Sequence, residues 1–174
     1  MSRHVERIVI HCTGTPNGLW IDCESIDHWH AKRGFRRDPE AVARHEPRLR
    51  HLGYHWVVYT SGSLRPGRHA EEPAAPQALP LGGELGVCLV GSDAYTPEQW
   101  DGLALLIKTL RQEYPRAAVV GHRAAVRDGL CHGDGTARAC LRLCRCPGFD
   151  VAEWLAGDLA PLHGHVYLWS NDNE

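Results

Sequence analysis

The chain has 174 residues, 43% of them hydrophobic and 23% charged, with a formal net charge of −2. That length fits one domain able to bury a real core, and the charge balance gives no strong basic field of the kind that binds nucleic acid. No stretch reaches the roughly 18 consecutive apolar residues of a membrane-spanning helix, which argues against membrane insertion.

Residues 5–12 are a short β-branched run closed by the turn-rich Thr13-Gly14-Thr15-Pro16-Asn17-Gly18. The pattern predicts a central strand that delivers His11 at its C-terminal end. No apolar segment precedes this strand, so synthesis in the cytoplasm without a secretory signal is expected. Ser25 is placed to cap a helix reaching about Gly34, with Ile26, Trp29 and His30 on one face. Residues 36–50 are highly charged and read as an exposed excursion with a short helix over 40–44.

Residues 55–60, the turn Ser61-Gly62 and residues 63–65 predict a hairpin. The Pro- and Gly-rich stretch 71–83 has no period and reads as a surface loop. Leu85-Gly86-Val87-Cys88-Leu89-Val90-Gly91 is apolar on both faces, as a fully buried strand would be. Thr96 then serves as an N-cap, with Pro97 at the first helical position and Gln99 completing a capping box. Trp100, Leu103, Leu106, Ile107, Leu110 and Tyr114 follow at three- and four-residue steps up to Pro115. Ala117-Ala118-Val119-Val120-Gly121 predicts another strand, ending on His122. A last helix carries Val151, Trp154 and Leu155. Alternating strands and helices indicate a single α/β domain, with a central mostly mixed sheet flanked by helices on both faces. Its core is expected over about 5–157, followed by a tail, 158–174, that carries no recognisable pattern.

Two strands each end on a histidine, and strand C-termini are where α/β sheets place their sites. His11 and His122 are therefore candidate zinc ligands, with Cys146, followed by Pro147, as a third. Three protein ligands and an open position describe a catalytic zinc, whereas four protein ligands describe a structural one. From spacing alone, two histidines that merely happen to end strands explain the pattern as well.

Five stretches occur in a telling order: Ile8-Val9-Ile10-His11-Cys12-Thr13, Leu52-Gly53-Tyr54-His55-Trp56, Leu85-Gly86-Val87-Cys88-Leu89-Val90-Gly91, Gly121-His122-Arg123 and Cys146-Pro147-Gly148-Phe149-Asp150. In this series the chain resembles the type 2 N-acetylmuramoyl-L-alanine amidases, which include phage lysozyme-type amidases and animal peptidoglycan recognition proteins. The resemblance runs from about Val5 to about Leu155. It implies a zinc cofactor on His11, His122 and Cys146, with Tyr54 at the zinc water or the developing oxyanion. It also implies cleavage of the amide between N-acetylmuramic acid and L-alanine in bacterial peptidoglycan. Trp29-His30 and Pro66-Gly67-Arg68 fit the phage branch, which makes Trp29, His30 and Arg68 candidate substrate-binding residues. His55, the next residue after Tyr54, points to the opposite face and is expected either to be structural or to support the site from behind its ligands.

The chain departs from the family pattern at two places. Many active members carry a lysine two residues before the last ligand; here Cys144 stands there, and Arg145 is the candidate replacement for its charge at the oxyanion. The histidine that phage members carry after the hairpin falls on Pro76, which leaves His69 as the nearest candidate. The insertion holding Cys131, His132, Cys140 and Cys144 reads as a flexible loop with ordinary thiols, a second structural zinc site being the alternative. Cys12 and Cys88 are expected to be small buried hydrophobes. The expected function is a phage or prophage endolysin acting as a monomer on the cell wall after release. The alternative is a non-cutting peptidoglycan-binding module of the same fold.

Overall fold

The computed structural model describes residues 3–74, 83–127 and 145–169. Its elements in chain order are β1 (Arg7–Cys12), α1 (Cys23–Lys32), α2 (Pro39–Arg44), β2 (Trp56–Val58), β3 (Leu64–Pro66), β4 (Glu84–Leu89), α3 (Pro97–Glu113), β5 (Ala118–Gly121), α4 (His122–Arg127) and α5 (Val151–Ala156). They form one domain around a five-stranded mixed sheet of order β3-β2-β4-β1-β5. β1 pairs in parallel with β4 and β5, and β2 pairs in parallel with β4. Only β3 runs antiparallel, because a two-stranded hairpin joins it to β2.

Alternation along the strands sorts their side chains onto two cores. Ile8, Ile10, Leu85, Val87 and Leu89 face Trp100, Leu103 and Ile107 of α3 and Trp154 of α5. Val57 and Cys88 face the other way, onto Cys23 and Ile26 of α1 and onto Leu49 and Leu52. Helices therefore cover both faces, as the sequence predicts. Each fully buried leucine or isoleucine contributes roughly 1.5–3 kcal/mol relative to exposure.

The predicted capping box of α3 is present, and it does more than end a helix. The Thr96 hydroxyl accepts from the Gln99 N–H at 3.1 Å and donates to the Thr60 carbonyl at 2.7 Å. The Gln99 amide donates to the Val90 carbonyl at 2.8 Å. One helix start thus ties together the chain leaving β2 and the chain leaving β4.

Two expectations change. Asp22, not Ser25, caps α1: the Ser25 N–H donates to the Asp22 carboxylate at 2.7 Å. The excursion at 36–50 holds the predicted short helix but is not wholly exposed, since the side chain of Arg37 is 0% exposed and paired with Glu72. Arg37 donates to both carboxylate oxygens of Glu72, at 2.6 and 2.9 Å, and to the carbonyls of His45, Glu46 and Leu49. The start of the tail is folded onto the domain. The His165 carbonyl accepts from the N–H of Tyr95 and from the Trp100 indole, and Tyr167 donates back to the Tyr95 carbonyl. Among the described residues, no helix is long and apolar enough to cross a membrane.

Candidate metal centre

Parallel pairing of β1 with β5 sets Ile10 opposite Gly121. The next residue on each chain is a histidine, so two neighbouring strands deliver His11 and His122 at the same end of the sheet. Their ring centroids lie 4.5 Å apart, close to the spacing of adjacent strands. Cys146 arrives in the turn before α5. Its sulfur and one nitrogen from each histidine all lie within 4.8 Å of one another.

Several contacts hold Cys146 in that place. The Cys12 N–H donates to its sulfur at 3.1 Å, and the Arg123 N–H donates to its carbonyl at 3.0 Å. The Tyr95 hydroxyl donates to the carbonyl of the next residue, Pro147. Gly121 permits this closure: a Cβ there would stand 3.0 Å from the Pro147 ring, tighter than ordinary contact. Gly148, at φ +96°, lies so close to Ser92 that a Cβ would be 2.2 Å from the Ser92 carbonyl oxygen. Only glycine fits this left-handed turn.

Burial holds the His11 pKa well below its ordinary value, and the neighbouring His122 and His30 reinforce the shift. His11 is therefore neutral at physiological pH and keeps a lone pair for a metal. Burial, then the Cys88 and Cys146 thiols, hold the Tyr54 phenol well above its ordinary pKa, so it remains a hydrogen-bond donor. The Tyr54 ring lies 5.2 Å from that of His11. Gly86 lies beside the pair: a Cβ there would sit in ordinary contact with Tyr54 Cδ1 at 3.5 Å and His11 Cδ2 at 4.0 Å.

Two imidazole nitrogens and one thiol sulfur suit a borderline-soft divalent ion such as zinc, and three donors leave a coordination position open. Among the described residues, this is the one such group of metal-competent side chains.

The other predicted site residues fall into different places. Arg68 is 5% exposed and donates to the carbonyls of Leu52, Pro73 and Arg36 at 2.7, 2.7 and 2.9 Å. It fastens the loop after β3 from inside. His30 is likewise inward, 4% exposed, with Nδ1 accepting from the Gly53 N–H at 2.9 Å. Trp29 is half-buried and packs against the core under α1. His69 is exposed, edge-on to His45 with ring centroids 5.3 Å apart.

Arg145 is exposed and lines a cleft together with Arg123, Cys146 and Asp150. His55 is buried and held between two backbone groups. Its Nδ1 accepts from the Gly86 N–H at 2.9 Å, and its Nε2 donates to the Glu72 carbonyl at 2.8 Å. Cys88 is fully buried, whereas Cys12 is half-buried and packs against the main core. Pro76, Cys144 and the insertion with Cys131, His132 and Cys140 lie outside the described residues.

The sequence reading missed the backbone N–H of Cys12 and the hydroxyl of Tyr95 as supports of Cys146 and the turn that carries it. No side-chain motif marks a main-chain donor. The Tyr95 contact spans 52 positions, beyond any local pattern.

A family model described as N-acetylmuramoyl-L-alanine amidase matches residues 1–140, a span that ends before Cys146. An endolysin of Enterobacteria phage K11 is 24% identical over 161 residues, covering 88% of this chain and 87% of its own length. Among solved structures, the N-acetylmuramoyl-L-alanine amidase LysC from Clostridium intestinale URNW aligns with a TM-score of 0.63 at 20% identity, over 92% of this chain and 89% of its own. The Ph2119 endolysin of the Thermus scotoductus MAT2119 bacteriophage Ph2119 aligns with a TM-score of 0.62 at 21% identity, over 92% and 88%. At these identities the solved structures establish a shared fold.

Proposed function

The chain belongs to the N-acetylmuramoyl-L-alanine amidase family, and from that premise we propose that it hydrolyses the amide between N-acetylmuramic acid and L-alanine in peptidoglycan, with zinc on His11, His122 and Cys146. The observation that carries this reading is the convergence of those three side chains within 4.8 Å at one end of the sheet. The phage endolysins among its relatives support an endolysin that acts on the cell wall. All three donors come from one chain, which fits action as a monomer.

Zinc, when bound, supplies a polarised carbonyl and a water whose pKa falls towards about 7. The protein residues do the rest. His11 stays neutral and offers a lone pair. Cys146 brings negative charge, and the Cys12 N–H stabilises it, since hydrogen bonds to ionised acceptors are the stronger ones. Tyr54 stays protonated and donates to the oxygen that gains charge as the scissile carbonyl becomes tetrahedral. Arg145 is the proposed cation for that charge, in place of a lysine at Cys144.

Digestion of purified cell walls followed by mass spectrometry tests the reaction. The expected products are stem peptides with a free N-terminal L-alanine and glycan chains of unchanged length. Shortened glycans, cut cross-links, or wall binding with no release of peptide would each contradict it.

A further inference from the structure

Tyr54 sits between two imidazoles. On one side its ring is 5.2 Å from His11, and on the other 5.1 Å, edge-on, from His30 in the last turn of α1. His30 is itself backed by Phe35, with ring centroids 4.7 Å apart. Its Nδ1 accepts the N–H of Gly53, the residue just before Tyr54. The main chain is held again just beyond: the Tyr54 carbonyl accepts from the Arg68 N–H at 2.9 Å, and the His55 N–H donates to the Gly86 carbonyl at 2.8 Å.

We infer that His30 is a positioning residue for Tyr54, fixing the backbone before it through Nδ1 and the phenol ring through edge contact. The inference rests on the amidase reading for its catalytic consequence but on geometry for its content. At 4% exposure His30 has no free face to offer a substrate, so its polar atom serves the fold around Tyr54. A phenol that must donate to a developing oxyanion gains from a fixed direction, because small misplacements of a catalytic group cost large factors in rate. Burial pushes the His30 pKa down to about 4, with Arg33 and Arg68 adding to the shift, which keeps the Nδ1 lone pair available near neutral pH.

The test uses the zinc-loaded full chain and a muramyl-L-alanyl peptide. His30→Ala should lower kcat roughly 10-fold or more, the scale seen when supporting partners of a site are removed, with zinc content unchanged. His30→Asn, which keeps an acceptor near the Gly53 N–H, should recover most of the loss. In a Tyr54→Phe background the same His30→Ala change should cost less than about 2-fold, because it acts through the phenol. Equal losses in both backgrounds, or loss of zinc, would overturn the inference. Should the alanine variant fail to fold, His30→Phe fills the volume without an acceptor and carries the same comparison.

Fluorine NMR on fluorotyrosine-labelled protein gives a readout independent of turnover. The Tyr54 line should broaden or split in His30→Ala and sharpen again in His30→Asn. An unchanged line would refute the positioning role, whereas a wild-type enzyme that does not cut at all would refute the amidase reading alone.

Discussion

The backbone N–H of Cys12 donates to the sulfur of Cys146 across 3.1 Å, so the strand that carries His11 also anchors the third donor. Sheet and donor group are therefore one construction: β1 supplies a metal-competent side chain from one residue and a support for Cys146 from the next. Replacing Cys146 with serine removes the thiolate while keeping the size of the side chain. Zinc affinity should fall by more than about 100-fold, beyond the 10- to 100-fold typical of lost supporting contacts. Competition against a chromophoric chelator measures it.

Tyr54→Phe removes the hydroxyl and leaves His11, His122 and Cys146 in place. The expected result is a fall in kcat of about 100-fold or more, as for other single oxyanion donors, with zinc content and KM little changed. Steady-state kinetics beside metal analysis separate that outcome from a loss of metal.

Two histidines make the fold sensitive to acid. Burial pushes His55 down to about 3 and His30 down to about 4, against about 6.5 for an unfolded histidine. The unfolded chain binds protons that the folded chain refuses, so stability is complete above about pH 6.5 and is lost as pH falls toward those two values. Each histidine should cost roughly 2 kcal/mol by about pH 5. Urea unfolding at a series of pH values checks this, and His55→Asn should flatten the dependence by about one proton.

The Arg37–Glu72 pair closes the excursion onto the loop after β3. Glu72→Ala leaves a guanidinium buried without its partner and should destabilise the protein by about 3 kcal/mol. Its loss also frees the His69 N–H, which donates to the same carboxylate at 2.7 Å. Denaturant midpoints of Glu72→Ala and of the double variant Arg37→Met/Glu72→Ala compare the orphaned charge with its removal. The double variant should be the more stable of the two.

Much of this was readable in the chain. The capping box of Thr96 and Gln99, the buried run of β4 and the histidines at the C-terminal ends of two strand patterns are local patterns, and local patterns survive folding when burial agrees with them, although His122 itself opens α4 rather than closing β5. His11 and His122 meet because a parallel sheet aligns the C-terminal ends of β1 and β5, a consequence of the alternation of elements. What the sequence hides is pairing over distance. Nothing near Arg37 announces Glu72, and nothing near His165 announces the indole of Trp100. Ser25 looked like a cap because serine is a common one, yet Asp22 lies where its carboxylate reaches the Ser25 N–H. His30 and Arg68 entered as candidate substrate contacts through the resemblance, which carries no information on which way a side chain is turned. The structure turns both inward, where backbone partners satisfy them.

On the proposed reading, His11, His122 and Cys146 together hold the zinc on which amide cleavage depends. Amine release from a muramyl-L-alanyl peptide tests it most directly, measured on protein stripped by a chelator and then titrated with zinc. The stripped protein should release none, and one zinc per chain should restore release in full. Release that persists without metal, or none at one bound zinc per chain, would contradict it.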